Sequence, residues 1–119
     1  MVNNRIQIAE ALETITENVK MTRPEGDVSF PLITYAEITN VNVGIRQDRI
    51  EYQIDGHTNT LPELLVLMAQ IDEVMTDMGW HRTYITPDTQ ARQSKDFYRK
   101  SANYTARIDT LTNTITGGY

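Results

Sequence analysis

Residues 60–80 read TLPELLVLMAQIDEVMTDMGW and predict the longest helix of the chain. Apolar side chains recur there at steps of three and four and so share one helical face: Leu61, Leu64, Leu65, Met68, Ile71, Met75 and Met78. Thr60 and Glu63 form a capping box at the start. Pro62 suits the first turn, and Gly79 suits a left-handed C-terminal cap. The breadth of the apolar stripe indicates that this helix lies on a sheet.

A shorter helix is predicted before it, capped by Asn3 or Asn4 and running to about Val19. Its apolar seam consists of Ile8, Leu12, Ile15 and Val19. A second row, on a different face, consists of Glu10, Glu13 and Glu17. Since like charges at these spacings repel each other, helix stability does not explain the row. We interpret it either as solvated surface or as an acidic face turned toward a partner or a lumen.

Four strands are predicted, two before and two after the central helix. The clearest is 48–56, where Ile50, Tyr52 and Ile54 alternate with polar residues. Residues 32–39 have strand composition without clean alternation, and 40–47 read as a hairpin loop or as a strand extension with a bulge. The last two strands are 80–86 and 96–109, with Lys100 interrupting the apolar alternation of the latter.

The predicted fold class is α+β, in the order α-β-β-α-β-β. We expect an antiparallel sheet of about four strands with the two main helices packed on one face. Residues 22–31 and 87–94 are predicted loops. A single domain is expected over residues 1–110, followed by an extended or flexible tail at 111–119.

Composition excludes several classes of protein. The 119 residues carry 16 acidic and 11 basic side chains, and a net charge of −5 argues against a dedicated nucleic-acid or anionic-membrane binder. The absence of cysteine excludes disulfides and cysteine-based zinc sites. The chain lacks a transmembrane run and the basic-then-apolar order of a signal peptide, so synthesis in the cytoplasm is expected.

Charge is unevenly distributed along the chain. Residues 1–78 carry 13 acidic and 5 basic side chains, whereas residues 79–119 carry 3 acidic and 6 basic ones. A mixed solvated surface explains this distribution most simply, and pairing of an acidic and a basic part across subunits is the alternative.

No motif for catalysis follows from the residues. Asp55 beside His57 is the only pair of residues on which a zinc site or a hydrolase site could be built. The DGH pattern is short, however, and favours an exposed loop. Asp72 lies at the edge of the apolar stripe, where pairing with a sheet side chain is favoured over a general acid. The run 92–100, RQSKDFYRK, favours a solvated strand and loop, with a subunit contact second. We therefore expect no enzyme, no catalytic residues, no cofactor and no metal.

Three stretches together resemble one family. They are SFPLITYAEITN at 29–40, DRIEYQIDGHTNTLPELLVLMAQIDEVMTDMGWHR at 48–82, and FYRKSANYTARI at 97–108. Each is similar to a segment of the tail-completion and tail-terminator proteins of long-tailed bacteriophages. The family often has a tryptophan near the end of its second strand, where this chain has Asp55, Gly56 and His57.

The resemblance implies a non-enzymatic subunit of a ring, of about six copies, at the head-proximal end of the tail tube. Such a ring terminates the tail or joins it to the head connector, and DNA passes through it without sequence-specific binding. The implied partners are further copies of the chain, the tail tube protein and the head connector or head-completion protein. The implied location is the virion tail or neck, with assembly in the host cytoplasm and no membrane.

The resemblance also makes the two loops candidates for contacts between subunits, with the residues Arg23, Asp27, Phe30, Arg92, Lys95 and Arg99. In such a ring the row Glu10, Glu13 and Glu17 is a candidate lining of the lumen. Two alternatives stay open: a head-completion or connector protein of the phage neck, and a small non-enzymatic binding domain encoded by a prophage.

Overall fold

Seven strands form one mixed sheet in the computed structural model, which describes residues 4–21, 29–94 and 97–117. The helices are α1 (Arg5–Glu13) and α2 (Leu61–Asp77), with a short 3-10 turn at Asp88–Gln90. The strands are β1 (Val19–Lys20), β2 (Leu32–Gly44), β3 (Gln47–Thr58), β4 (His81–Ile85), β5 (Arg92–Ser94), β6 (Phe97–Asp109) and β7 (Thr114–Gly117). The predicted order and the predicted count of about four strands are therefore wrong.

The strands lie in the order β1-β2-β3-β6-β4, and β5 and β7 also pair with β6. β1 runs parallel to β2, whereas the other pairs are antiparallel. The expectation of an antiparallel sheet is thus wrong as well. β1, β5 and β7 contain two, three and four residues. Segments of two to four residues are too short for an alternating pattern to be detected in the sequence. They are strands because they pair with the longer strands β2 and β6.

The first helix is shorter than predicted and ends at Glu13, not near Val19. The Thr14 hydroxyl bonds to the Ala11 carbonyl at 2.6 Å, in competition with the helical pattern. Val19 then pairs with Ile33 as part of β1. Pairing with the sheet therefore overrides the helical periodicity of residues 14–19.

The central helix agrees with its prediction at both ends. The Thr60 side chain accepts a hydrogen bond from the Glu63 amide, as a capping box requires. Gly79 has a φ of +98°, the left-handed conformation expected after the helix. Five side chains of α2 are buried against the sheet: Leu64, Leu67, Met68, Ile71 and Met75.

Side chains of α2 pack directly on Gly56 of β3. A Cβ atom there would lie 2.7 Å from the Met68 sulfur and 3.1 Å from a Leu67 methyl group. The rest of β3 follows the predicted alternation, since Ile50, Tyr52 and Ile54 are all buried. Beside Gly56 on β6 lies Lys100, which is buried and forms an ion pair with Asp88. This pair explains how a lysine can interrupt the apolar alternation of β6.

Candidate functional site

Both helices contact the sheet on one side, and the opposite side is a largely polar surface that we call the open face. Alternation along β3 and β6 sends every second side chain to it. The register of these two strands aligns Arg49 with Arg107, Glu51 with Thr105, Gln53 with Asn103, Asp55 with Ser101, and His57 with Arg99. The chemistry of the open face is therefore set by these cross-strand pairs.

Two arginines lie directly opposite each other at one end of the open face. Arg49 and Arg107 are partners in the β3–β6 register, and Val41 of β2 is the partner of Arg49 on its other side. All three side chains are exposed, and no ion pair within the described residues includes either arginine. Like charges directly opposite destabilise a strand pair. We call Val41, Arg49 and Arg107 the arginine row.

Aromatic rings cover the other end of the open face. His57 and Phe97 are stacked with ring centroids 5.8 Å apart, and Phe97 in turn lies 5.6 Å from Phe30. The His57 Nε2 atom lies 3.0 Å from the Thr34 hydroxyl, and the histidine is 2 % exposed. The prediction of loop surface for His57 is therefore wrong. The β3 strand runs to Thr58, so the DGH segment is paired on both sides by β2 and β6.

The six candidate interface residues divide into two groups. Arg23, Asp27 and Lys95 lie outside the described residues. Phe30 is half-buried against Phe97, whereas Arg92 and Arg99 are exposed. The Arg99 amide donates to the Ala91 carbonyl at 2.8 Å, which holds β5 beside β6. The structure thus places Phe30, Arg92 and Arg99 around the same end of the sheet, and their part in subunit contacts stays a prediction.

The acidic row is not set by one helix. Glu10 and Glu13 belong to α1, but Glu17 follows the end of that helix. All three side chains are exposed. Their proposed place at a lumen stays a prediction.

A further surface lies on the outward side of α2. Val66, Ala69, Glu73 and Asp77 share this side and are all exposed, Val66 by 60 %. Glu73 and Asp77 are four residues apart, and the last turn of α2 carries no basic residue. Like charges at this spacing, near the negative end of the helix dipole, destabilise the isolated helix. We call these four residues the acidic ridge.

Asp72 pairs with the sheet, as predicted. It accepts a 3.0 Å hydrogen bond from the Tyr104 hydroxyl and lies 3.1 Å from an Arg82 nitrogen. Burial, together with the neighbouring carboxylate of Asp72, raises the pKa of Tyr104. Burial also raises the pKa of Tyr52 to about 12, with a smaller contribution from Glu37. Asp72, Tyr104 and Arg82 connect α2 to β6 and β4, so they serve the fold.

Two depressions have linings that suit ligands. An apolar groove of about 370 Å³ lies between α2, the segment that follows α1 and the cis-proline Pro31. It is lined by Ile15, Pro31, Thr58, Pro62, Glu63, Val66, Leu67 and Gln70. A polar depression of about 230 Å³ includes Asp55, His57 and Arg99. Asp55 accepts a 3.1 Å hydrogen bond from Gln53. Within the described ranges, no three histidine or acidic side chains come together as metal ligands.

The edge strand β2 exposes apolar side chains that sequence reasoning did not single out. β1 pairs with only Ile33 and Thr34, so the rest of the outer edge of β2 has no strand beside it in the described part of the chain. Four apolar residues are exposed along this edge and its turn: Ile38, Val41, Val43 and Ile45. Register shifts at Ile38 and Val43 break the alternation, which is why the pattern assigned no faces here.

No protein-family model matches the chain, and no curated protein matches it significantly. Among the described residues, no helix has the length and apolar character to cross a membrane.

Proposed function

We propose that this chain is a structural subunit of a bacteriophage tail. It forms a ring, of about six copies, at the head-proximal end of the tail tube, where it terminates the tail or joins it to the head connector. Its partners are its own copies, the tail tube protein and the head connector protein, and DNA passes through the ring without sequence-specific binding. In this role the protein belongs to the virion and is not an enzyme.

The observation that carries the proposal is the exposed apolar edge of β2. Contiguous exposed apolar side chains mark interaction surfaces, and an open strand edge can add a strand from another chain. Contacts between two unlike surfaces of identical copies generate rings when the rotation between copies closes.

The three segments that resemble the phage family also support the proposal. Residues 29–40 enter β2, residues 48–82 span β3 and α2 and enter β4, and residues 97–108 lie in β6. β2, β3 and β6 are consecutive neighbours in the sheet, and α2 packs on β3 and β6. The resemblance therefore falls on one connected structural unit.

The test is deletion of the gene from the phage or prophage genome that carries it, followed by electron microscopy of lysates. A tail terminator predicts overlong tail tubes without heads. A head-completion or connector protein predicts tails of normal length that are separate from the heads. Joined virions of normal appearance would contradict both roles.

The apolar groove favours a second candidate function, a small binding domain with a peptide or ligand in the groove beside α2. Light scattering across a concentration series, with negative-stain images, separates the two functions. Rings of about six copies, alone or on added tail tubes, support the tail subunit. A chain that stays monomeric and does not bind to the ends of added tail tubes supports the binding domain.

A further inference from the structure

The arginine row and the acidic ridge lie on opposite sides of one molecule. The row is on the open face, whereas the ridge is on the outward side of the helix that covers the other face. Each surface contains two like charges, positive on the row and negative on the ridge, and none of the four forms an ion pair within the described residues. Because the sheet separates them, the two surfaces cannot meet within a single copy.

We propose that the arginine row of one copy binds the acidic ridge of the next copy, and that this contact is the repeating interface of the ring. The inference rests on the proposed function, since it names the surfaces through which copies assemble. It also accounts for two features that are unfavourable in a monomer. Arg49 and Arg107 gain carboxylates, and Glu73 and Asp77 gain guanidinium groups.

The two surfaces match in length and in composition. Val41 and Arg107 are separated by two spacings between strands, which is about 10 Å. Ala69 and Asp77 are eight residues apart on α2, which is about 12 Å, and Val66 extends the ridge by about one further turn. Each surface has an exposed valine at one end and charges toward the other. Val41 of one copy can therefore contact the apolar part of the ridge of the next copy, while the two arginines contact the two carboxylates.

The chain itself favours a second copy over DNA as the anionic partner. A dedicated DNA binder carries a surplus of basic charge, whereas this chain has a net charge of −5. Glu51 also lies beside the row, on the same strand and the same side as Arg49. Its carboxylate repels phosphates and the carboxylates of the ridge alike, so the preference for a second copy over DNA rests on the net charge of the chain.

Charge reversal tests the contact. Arg49→Glu with Arg107→Glu, and separately Glu73→Arg with Asp77→Arg, should each raise the concentration needed for rings about tenfold or more, since like charges then face each other. The variant with all four substitutions should recover most of the wild-type ring fraction. The control Glu10→Arg with Glu13→Arg makes the same change in net charge as the ridge variant and should leave rings intact. Rings that survive both reversals would overturn the inference while the proposed function stands.

Cysteine cross-linking tests the same contact without requiring closed rings. The chain has no native cysteine, so Val41→Cys and Ala69→Cys introduce the only thiols. A mixture of the two variants should form a disulfide-linked heterodimer under mild oxidation, and a chain carrying both should form a ladder of covalent oligomers. Val41→Cys mixed with Ile6→Cys, an exposed position on α1, is the matched control. Failure of the first mixture to exceed this control overturns the inference, whether or not rings form.

Two further outcomes distinguish this contact from a closed ring and from binding of DNA by the arginine row. Open filaments cross-linked through positions 41 and 69 support the contact but contradict a closed ring, and so contradict the proposed function. Rings unaffected by Arg49→Glu with Arg107→Glu, together with weaker binding of double-stranded DNA, would assign the arginine row to phosphate and overturn the inference.

Discussion

The Tyr104 hydroxyl donates a 3.0 Å hydrogen bond to Asp72, and this bond fixes α2 to the strand at the centre of the sheet. Asp72 stays partly exposed and also pairs with Arg82. The bond therefore connects a buried phenol to a charged group at the rim of the core. Its strength should be visible in the stability of the whole domain.

Tyr104→Phe removes this hydrogen bond without changing the packing of the ring. We expect the free energy of unfolding to fall by about 1 kcal/mol, because a hydrogen bond contributes roughly that much net stability. Tyr84→Phe is the matched control, since Tyr84 is 48 % exposed on β4. Urea denaturation followed by circular dichroism measures both variants. Equal midpoints for the two variants would contradict the prediction.

Alkaline pH should destabilise the fold through its buried tyrosines. The pKa of Tyr52 is raised from 10.0 to about 12, and the pKa of Tyr104 is raised further. Above pH 10 the unfolded chain loses these protons while the folded chain keeps them. The stabilising contribution is thus fully present below pH 10 and is lost as the pH rises toward 12.

Near-ultraviolet absorbance during an alkaline titration measures this effect directly. The phenols of Tyr52 and Tyr104 should ionise well above pH 10, together with unfolding. Tyr52→Phe should reduce the absorbance change that accompanies unfolding at alkaline pH. A single common ionisation near pH 10 with the fold intact would refute the prediction.

Gly56→Ala should destabilise the contact between β3 and α2. The new Cβ would lie 2.7 Å from the Met68 sulfur, so Met68 or the helix must move within a packed core. Overpacking of this kind costs roughly 1–3 kcal/mol. Gly44→Ala is the control, because a Cβ at Gly44 has no atom within 4 Å among those described. Thermal unfolding of the two variants should differ clearly, and equal melting temperatures would count against the close approach at Gly56.

Asp109 should order the turn between β6 and β7. Its Oδ1 atom accepts hydrogen bonds from the amides of Leu111 at 2.8 Å and Thr112 at 3.1 Å. These bonds lower the pKa of Asp109 below its ordinary value of 3.8. Asp109→Ala should therefore speed hydrogen exchange at both amides.

The pH dependence of the same turn has a definite sign. Because the pKa of Asp109 is lowered in the fold, its contribution is present above pH 3.8 and is lost as the pH falls further. Asp109→Asn keeps an acceptor oxygen without a titrating charge, so its amide protection should not change over this range. If wild type and Asp109→Asn respond identically to acid, the carboxylate does not control the turn.

Sequence patterns predicted those elements whose signals are local. The cap at Thr60, the glycine cap at Gly79 and the alternation around Tyr52 depend on neighbouring residues, and the structure confirms each of them. The sequence also predicted that Asp72 pairs with a side chain of the sheet, because a carboxylate at the edge of an apolar stripe requires a polar partner there. It did not predict that the partners are Tyr104 and Arg82.

The features that the sequence patterns did not predict depend on the register between segments that are distant in the chain. Arg49 and Arg107 each have an ordinary position in an alternating strand, and only their pairing across 58 positions of sequence makes an arginine row. His57 was assigned to the surface because nothing near it indicates that Phe97 covers it. The bulge of β2 at Ile38 and the two residues of β1 depend likewise on their partner strands, whereas a bulge within residues 40–47 was one of the two predicted interpretations of that segment. The candidate contact surface was therefore beyond reach of the sequence patterns.

The position of β6 in the chain has a consequence for synthesis. Phe97–Asp109 pairs with β3, β4, β5 and β7, and it lies within the last quarter of the 119 residues. While a ribosome is still making the first 96 residues, β3 has an open inner edge and α2 has only part of its sheet to cover. The nascent chain must therefore stay incompletely folded until β6 emerges. Contacts between copies that require the complete sheet can therefore form only once residues 97–109 have left the ribosome.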